Sequence, residues 1–307
     1  MKTPYKWLAA LTGVGLLLTA LNVHGVEKPI TIVRFTPPQA KEDVSHDYLF
    51  QALKLGLEKS VPEFGPFQVE FMPVSLGQAQ VLQLLDIEGV LDVVASAPTT
   101  ERETQFRPAR VPLFMGLLGY RMMIIRPEDE AKFKAITRPK QLKALRACQG
   151  SSWPDADIME ADGYQVVRID EFRDMYEYMR TGRCDYFPRA ITEGYGELAS
   201  HNREFPDDPL LAFDDILIHY TVPLYFFTSH RQFELSERIE LGLTRAVKDG
   251  SLLALMQRHP VSKVVFPLSQ WQNATIFEVD NPEQLKTLRL YRQYLWQRLP
   301  AKNIVRE

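Results

Sequence analysis

Short apolar runs alternate with amphipathic stretches along this chain, and the alternation comes twice. Ile30 to Arg34 reads as a buried strand ending in a loop at Pro37-Pro38. The spacing of Leu49, Leu53 and Leu57 predicts a helix over 47–60, with Ser45 as its N-cap. Phe67, Val69 and Phe71 alternate with Gln68 and Glu70, which is strand periodicity. Ser75 with Gln78 matches a capping box opening a helix through Leu85. Gly89 breaks that helix, and Val90 to Ser96 is apolar again. Strand, helix, strand, helix, strand is the grammar of a parallel sheet covered by helices.

The same grammar then repeats. Tyr120 to Ile125 reads as a strand, 127–145 carries helical segments, and Arg146 to Gln149 is a second strand. Pro154 opens a helix as a first-turn proline, and Gly163 closes it before a strand from Tyr164 to Ile169. Phe172, Met175, Tyr176 and Met179 form a helical stripe of the core-packing kind, ended by Gly182, and Cys184 to Phe187 is the next strand. The repetition is architectural, since the two units share no sequence repeat. A third region differs. Ile216 to Thr228 is long, apolar and aromatic, and Pro223 interrupts it, as expected of a chain passing between two bodies. Helices over 235–248 and 252–258 follow, divided by Asp249-Gly250-Ser251, and a polar, partly helical tail runs through Trp296.

The N-terminus sets the expected compartment. Lys2 and Lys6 precede an apolar stretch from Trp7 to Val23, and Val23-His24-Gly25 offers a peptidase site, so residues 1–25 read as a cleaved signal peptide. Thr12, Gly13, Gly15, Thr19 and Asn22 weaken the stretch as a membrane anchor. Removing residues 1–25 takes away two lysines and no acids, moving the net charge from −3 to −5. That balance argues against a nucleic-acid partner, which would need a basic face. A soluble periplasmic protein, monomeric and large enough for two bodies with their own cores, is expected. Export permits a disulfide between the two cysteines, Cys148 and Cys184; two small buried thiols are the alternative reading.

Signals for catalysis are missing from the sequence. The six histidines are scattered without metal-ligand spacing, and no nucleophile elbow, Walker loop or dinucleotide turn occurs. Neither a cofactor nor a metal is expected.

Asp92 to Arg102 reads Asp-Val-Val-Ala-Ser-Ala-Pro-Thr-Thr-Glu-Arg and is followed by Pro112-Leu113-Phe114 and the strand from Tyr120. Together with the loop Gln149-Gly150-Ser151-Ser152-Trp153 and Gly182-Arg183-Cys184-Asp185, this resembles extracellular solute-binding family 3, the polar amino-acid binding proteins of ABC transporters. The resemblance implies an α/β, two-lobed type II periplasmic-binding-protein fold with two crossover hinge strands. One lobe would hold residues 26–119 and 222–307, the other 120–221. It implies a small polar ligand gripped between the lobes and a membrane permease as partner. A sensor input, or an enzyme such as a small-acid dehydratase on the same scaffold, are the alternatives.

The resemblance also implies where the ligand sits. From spacing alone, Arg102 reads as a surface arginine in the charged run Glu101-Arg102-Glu103; the family pattern makes it a carboxylate fork, with Thr99 adding a hydroxyl. Ser151 and Ser152 precede a helix whose free N–H groups favour an anion. Trp153, Tyr186 and Phe187 could line the cleft, although core packing reads equally well for the last two. Amino-acid binders of this type hold the ammonium group with an Asp beyond Gly-Arg-x-Asp, a position that falls on Ala190, with Arg189 beside it. If Arg189 faces the cleft, positive charge comes from both lobes and an anionic or carboxylate-bearing ligand is expected in place of a simple zwitterion. The alternative turns Arg189 outward to pair with Glu193.

Overall fold

The computed structural model describes Met1 and residues 28–38, 44–72, 76, 78–281 and 296–306. The signal segment and the Ser75 half of the capping box lie outside these. The first unit opens with β1 (Thr31–Phe35), α1 (Val44–Lys59), the short α2 (Val61–Phe64), β2 (Phe67–Phe71) and α3 (Gln78–Gln83). β1 and β2 pair in parallel, and Phe35 bridges onward to Val93, also in parallel. Leu53 and Leu57 are fully buried, as their spacing requires, whereas Phe71 stays exposed at the end of its strand. α1 begins at Val44, so Ser45 is its second residue and does not cap it.

Past this point the chain departs from purely parallel pairing. β3 (Val94–Ser96) is followed by α4 (Thr100–Gln105) and β4 (Phe106–Ala109), and β10 (Tyr225–Ser229) inserts between β3 and β4, antiparallel to both. α10 (Phe233–Lys248) then lays Ile239, Leu243 and Ala246 into the same core as α1, and α11 (Ser251–Arg258) follows a left-handed Gly250. Returning to β3 and β4 straight from the end of the crossing, β10 needs no helical crossover, which is why it runs antiparallel.

The middle of the chain forms a second group. β5 (Tyr120–Ile125) is buried at every position. α5 (Glu130–Lys134), α6 (Pro139–Lys143), β6 (Arg146–Gly150), α7 (Pro154–Ala161), β7 (Gln165–Ile169) and α8 (Asp174–Arg180) follow in the predicted order. β6 and β7 pair in parallel. β8 (Phe187–Ala190) begins three residues later than the apolar run suggested, because 185–186 bond back to Arg146 and only 187–190 reach β5. α9 (Gly194–Glu204) leads to β9 (Leu211–His219), which runs antiparallel to β5. Cys148 and Cys184 form a disulfide with Cα atoms 5.6 Å apart, joining β6 to the approach of β8.

The tail carries a strand that its polar composition concealed. β11 (Thr275–Glu278) adds to β9 in parallel and β12 (Asn303–Val305) adds to β11, giving the order β12-β11-β9-β5-β8. β5 and β9 are the strands that carry the chain into and out of the middle segment, and they touch where they begin and end. A Cβ at Gly119 would lie 2.3 Å from the Tyr220 carbonyl oxygen, so only glycine permits this approach. Tyr120 stacks on His219 there, and His219 Nδ1 lies 3.0 Å from Glu278 on β11.

Candidate functional site

Arg102 is set in place by the start of α4. Thr99 is the N-cap of this helix, and its Oγ1 accepts a hydrogen bond from the Arg102 amide at 3.1 Å. The hydroxyl expected to touch ligand thus has a local task as an acceptor. The Arg102 guanidinium donates from Nη1 to Ser96 Oγ and the Ala97 carbonyl, both at 2.9 Å. From Nη2 it donates to the Ser152 carbonyl at 3.0 Å, fifty residues along the chain. These acceptors are neutral. Desolvation pulls the guanidinium below the usual arginine range, against an opposing pull from Asp155, Glu101 and Asp157.

Across from Arg102 stands the loop between β6 and α7. A Cβ at Gly150 would come within 2.5 Å of the Trp153 ring, so this glycine lets the indole fold back on the loop. Ser151 Oγ donates to Asp170 at 2.6 Å, and Ser152, exposed, meets Arg102 through its carbonyl. Trp153 precedes Pro154, whose fixed φ suits the first turn of α7. That turn already contains Asp155 and Asp157, so the chain's own carboxylates sit where an anion was expected.

Arg189 departs from the role expected for it. Its Nε donates to Glu197 at 2.7 Å, and its Nη2 to Glu197 at 2.6 Å and Glu193 at 3.3 Å. Rings of Trp153, Phe172 and Phe187 cover its face, the nearest centroid, that of Trp153, being 5.0 Å away. Arg189 pairs with Glu193, as the alternative reading had it, yet it is buried and not turned outward. Burial would lower its pKa, but Glu197 and Glu193 more than offset this and raise it. Glu193 is itself pushed up by burial, with Arg189 pulling down and Glu197 pushing up. The expected positive charge from this side is therefore neutralised internally, and the argument against an ammonium-bearing ligand goes with it.

A second buried ion pair lies where β5 and β9 meet. Arg121 Nη2 is 2.7 Å from Asp155 Oδ1, which also accepts the Tyr220 hydroxyl at 2.5 Å, and the Arg121 guanidinium stands 5.2 Å from the Tyr220 ring centroid. Burial lowers Arg121, while Asp155 and Tyr220 raise it, leaving it above the usual arginine range.

No family model matches the sequence, and no curated protein does. Solved structures do match. A periplasmic His/Glu/Gln/Arg/opine family-binding protein from Silicibacter pomeroyi, in complex with lysine, aligns at TM-score 0.53 and 10% identity, over 75% of this chain and 96% of that one. The chain has a type II periplasmic-binding fold. An amino acid ABC transporter substrate-binding protein from Streptococcus pneumoniae bound to L-arginine aligns at TM-score 0.51 and 13% identity, covering 75% and 92% of the two chains. A histidine kinase sensor domain with similarity to periplasmic binding proteins aligns at 0.53 and 15%, covering 76% and 97%. At such identities the likeness is one of fold.

In this type II fold Thr99 and Arg102 at the start of α4 meet the loop that carries Ser152 and Trp153, with Ser151 turned to Asp170 and Arg189 packed beneath Trp153. Sequence reasoning passed over Asp155, Arg121 and Tyr220. Arg121 did carry a signal, as the one charged residue in the apolar run Tyr120–Ile125. Among the described residues no group of three or more His, Cys, Asp or Glu is placed to hold a metal. None of the described helices is long and apolar enough to cross a membrane.

Proposed function

We propose that this chain is a periplasmic solute-binding protein that takes a small polar, carboxylate-bearing ligand between two lobes, residues 26–119 with 222–307 and residues 120–221, with β11 and β12 of the tail adding instead to the sheet of the second lobe, and presents it to an ABC-type permease. The observation that carries the reading is the Arg102 guanidinium, which reaches from α4 past Ser96 and Ala97 to the Ser152 carbonyl on the 150–153 loop. A carboxylate entering between α4 and the 150–153 loop would meet a planar fork with matching geometry. Trp153, on the same loop, stacks on Phe187 and over Arg189. Asp155 lies within electrostatic reach of Arg102 and offsets part of its charge.

Binding would draw the lobes together about β5 and β9. A second reading, ligand-binding input to a membrane sensor, is favoured by the likeness to the histidine kinase sensor domain. The deciding experiment is a thermal-shift screen of amino acids, dicarboxylates and short peptides, followed by calorimetry on wild type and Arg102→Ala. A ligand at one hundred times its Kd stabilises the folded protein by about 2.7 kcal/mol. A carboxylate ligand whose affinity collapses in Arg102→Ala supports the proposal. A ligand bound equally by both proteins, or one lacking a carboxylate, overturns the assignment of the site.

A further inference from the structure

We propose that Asp155 is the positioning residue of this site: it fixes the Gly150–Trp153 loop to the two connecting strands, so that loop and strands move as one body. The inference deepens the binding reading, because the loop it positions is the one that meets Arg102.

Three elements converge on one carboxylate. Arg121 belongs to β5, which leads into the middle segment, and Tyr220 follows directly on β9, which leads out. Both bond to Asp155 Oδ1, and the Arg121 guanidinium also lies against the Tyr220 ring. All three residues are buried. Asp155 itself is three residues beyond Ser152, in the first turn of α7, and Pro154 between them restricts the backbone. The link from strands to loop is therefore short and stiff.

Its position along the strands matters as much as its stiffness. Tyr220 is the residue whose carbonyl packs on Gly119, and its amide donates to the Gly119 carbonyl at 3.3 Å. A change in how β5 and β9 cross must move Arg121 and Tyr220, and through Asp155 the loop. A buried ion pair is a weak source of net stability, since desolvation offsets the attraction, but it demands one geometry. Positioning is the role that such a pair performs better than an apolar contact would.

Amide hydrogen exchange on the full chain, without ligand, tests this. In Asp155→Asn we expect exchange to rise about tenfold at residues 150–156 and, together with them, at 119–121 and 219–221, while α1 and α10 keep their protection. Tyr220→Phe, which removes one of the two arms, should show the same coupled pattern more weakly, and it keeps the test open if Asp155→Asn does not fold. The apolar pair Arg121→Met with Asp155→Leu should retain the denaturation midpoint of the wild type yet lose protection at the loop. Faster exchange at the loop with the strand ends unchanged would overturn the coupling. So would a uniform rise over the whole molecule, which would mark plain loss of stability. Because no ligand enters the measurement, its outcome is independent of the ligand screen.

Discussion

Arg102 and Arg189 would have been two like charges across the cleft had Arg189 faced it, and they live in opposite environments. Arg102 stands on a short helix, donates to the Ser96 hydroxyl and to the Ala97 and Ser152 carbonyls, and so links α4 to the 150–153 loop. Arg189 lies on a buried strand, bound along one edge by two glutamates and covered by three aromatic rings. Burial raises the Glu193 pKa while Arg189 pulls it down, so the guanidinium finds its counter-charge within this cluster. The difference teaches that an arginine takes its role from the partners it meets after folding. Burial with acids turns the same side chain into a structural element.

The largest effect that could break this contrast is on stability. Arg189→Met should destabilise the protein by about 3–5 kcal/mol, because Glu193 and Glu197 would be left buried without their counter-charge. Urea unfolding monitored by circular dichroism measures it; a loss well under 1 kcal/mol would return Arg189 to the role of a ligand residue. Next comes the disulfide that holds β6 to the approach of β8 and so frames the Arg189 side. Replacing Cys148 and Cys184 by serine should cost about 2–4 kcal/mol, given the loop of intermediate length it closes. The same denaturation curves show whether that cost is present.

Arg102→Ala should leave stability nearly intact and weaken a carboxylate ligand by about 2 kcal/mol, roughly thirtyfold in Kd. Calorimetry with whichever ligand the screen finds reads this directly, and equal affinity would remove the contrast. The smallest effect is a pH slope. Glu193 has a folded-state pKa raised above its ordinary 4.5 by burial, so the folded protein holds more protons than the unfolded chain just above that value. Its contribution is full at lower pH and is lost as pH rises through the raised pKa. Unfolding midpoints collected across this window should fall more steeply for the wild type than for Glu193→Gln; parallel slopes would show that the carboxyl ionises normally.

What was legible in the sequence was local. β5 was read residue for residue, since a run apolar but for Arg121 and bounded by Gly119 and Pro127 leaves little choice. The start of α7 was fixed by Pro154, and the end of α8 by Gly182 with its positive φ. β8 was misplaced by three residues because a strand is defined by its partner, and 185–186 bond to Arg146 while 187–190 bond to β5. β11 was missed for the same reason, being four residues long and recognisable only beside β9. For the candidate site, Arg102 was singled out through a pattern of residues. Asp155 was not, because nothing in the first turn of a helix says that Arg121 and Tyr220 will arrive there.

The sequence by itself determined the order and type of most elements, through periodicity, proline and glycine, since these act on neighbouring residues. It also supplied the two cysteines and the arginines. Only the tertiary structure decided that Cys148 meets Cys184, that Glu197 reaches back eight residues to Arg189, and that Arg102 meets the Ser152 carbonyl. The physical reason is that charge is settled by whatever stands within a few ångströms after folding, and those neighbours come from distant parts of the chain.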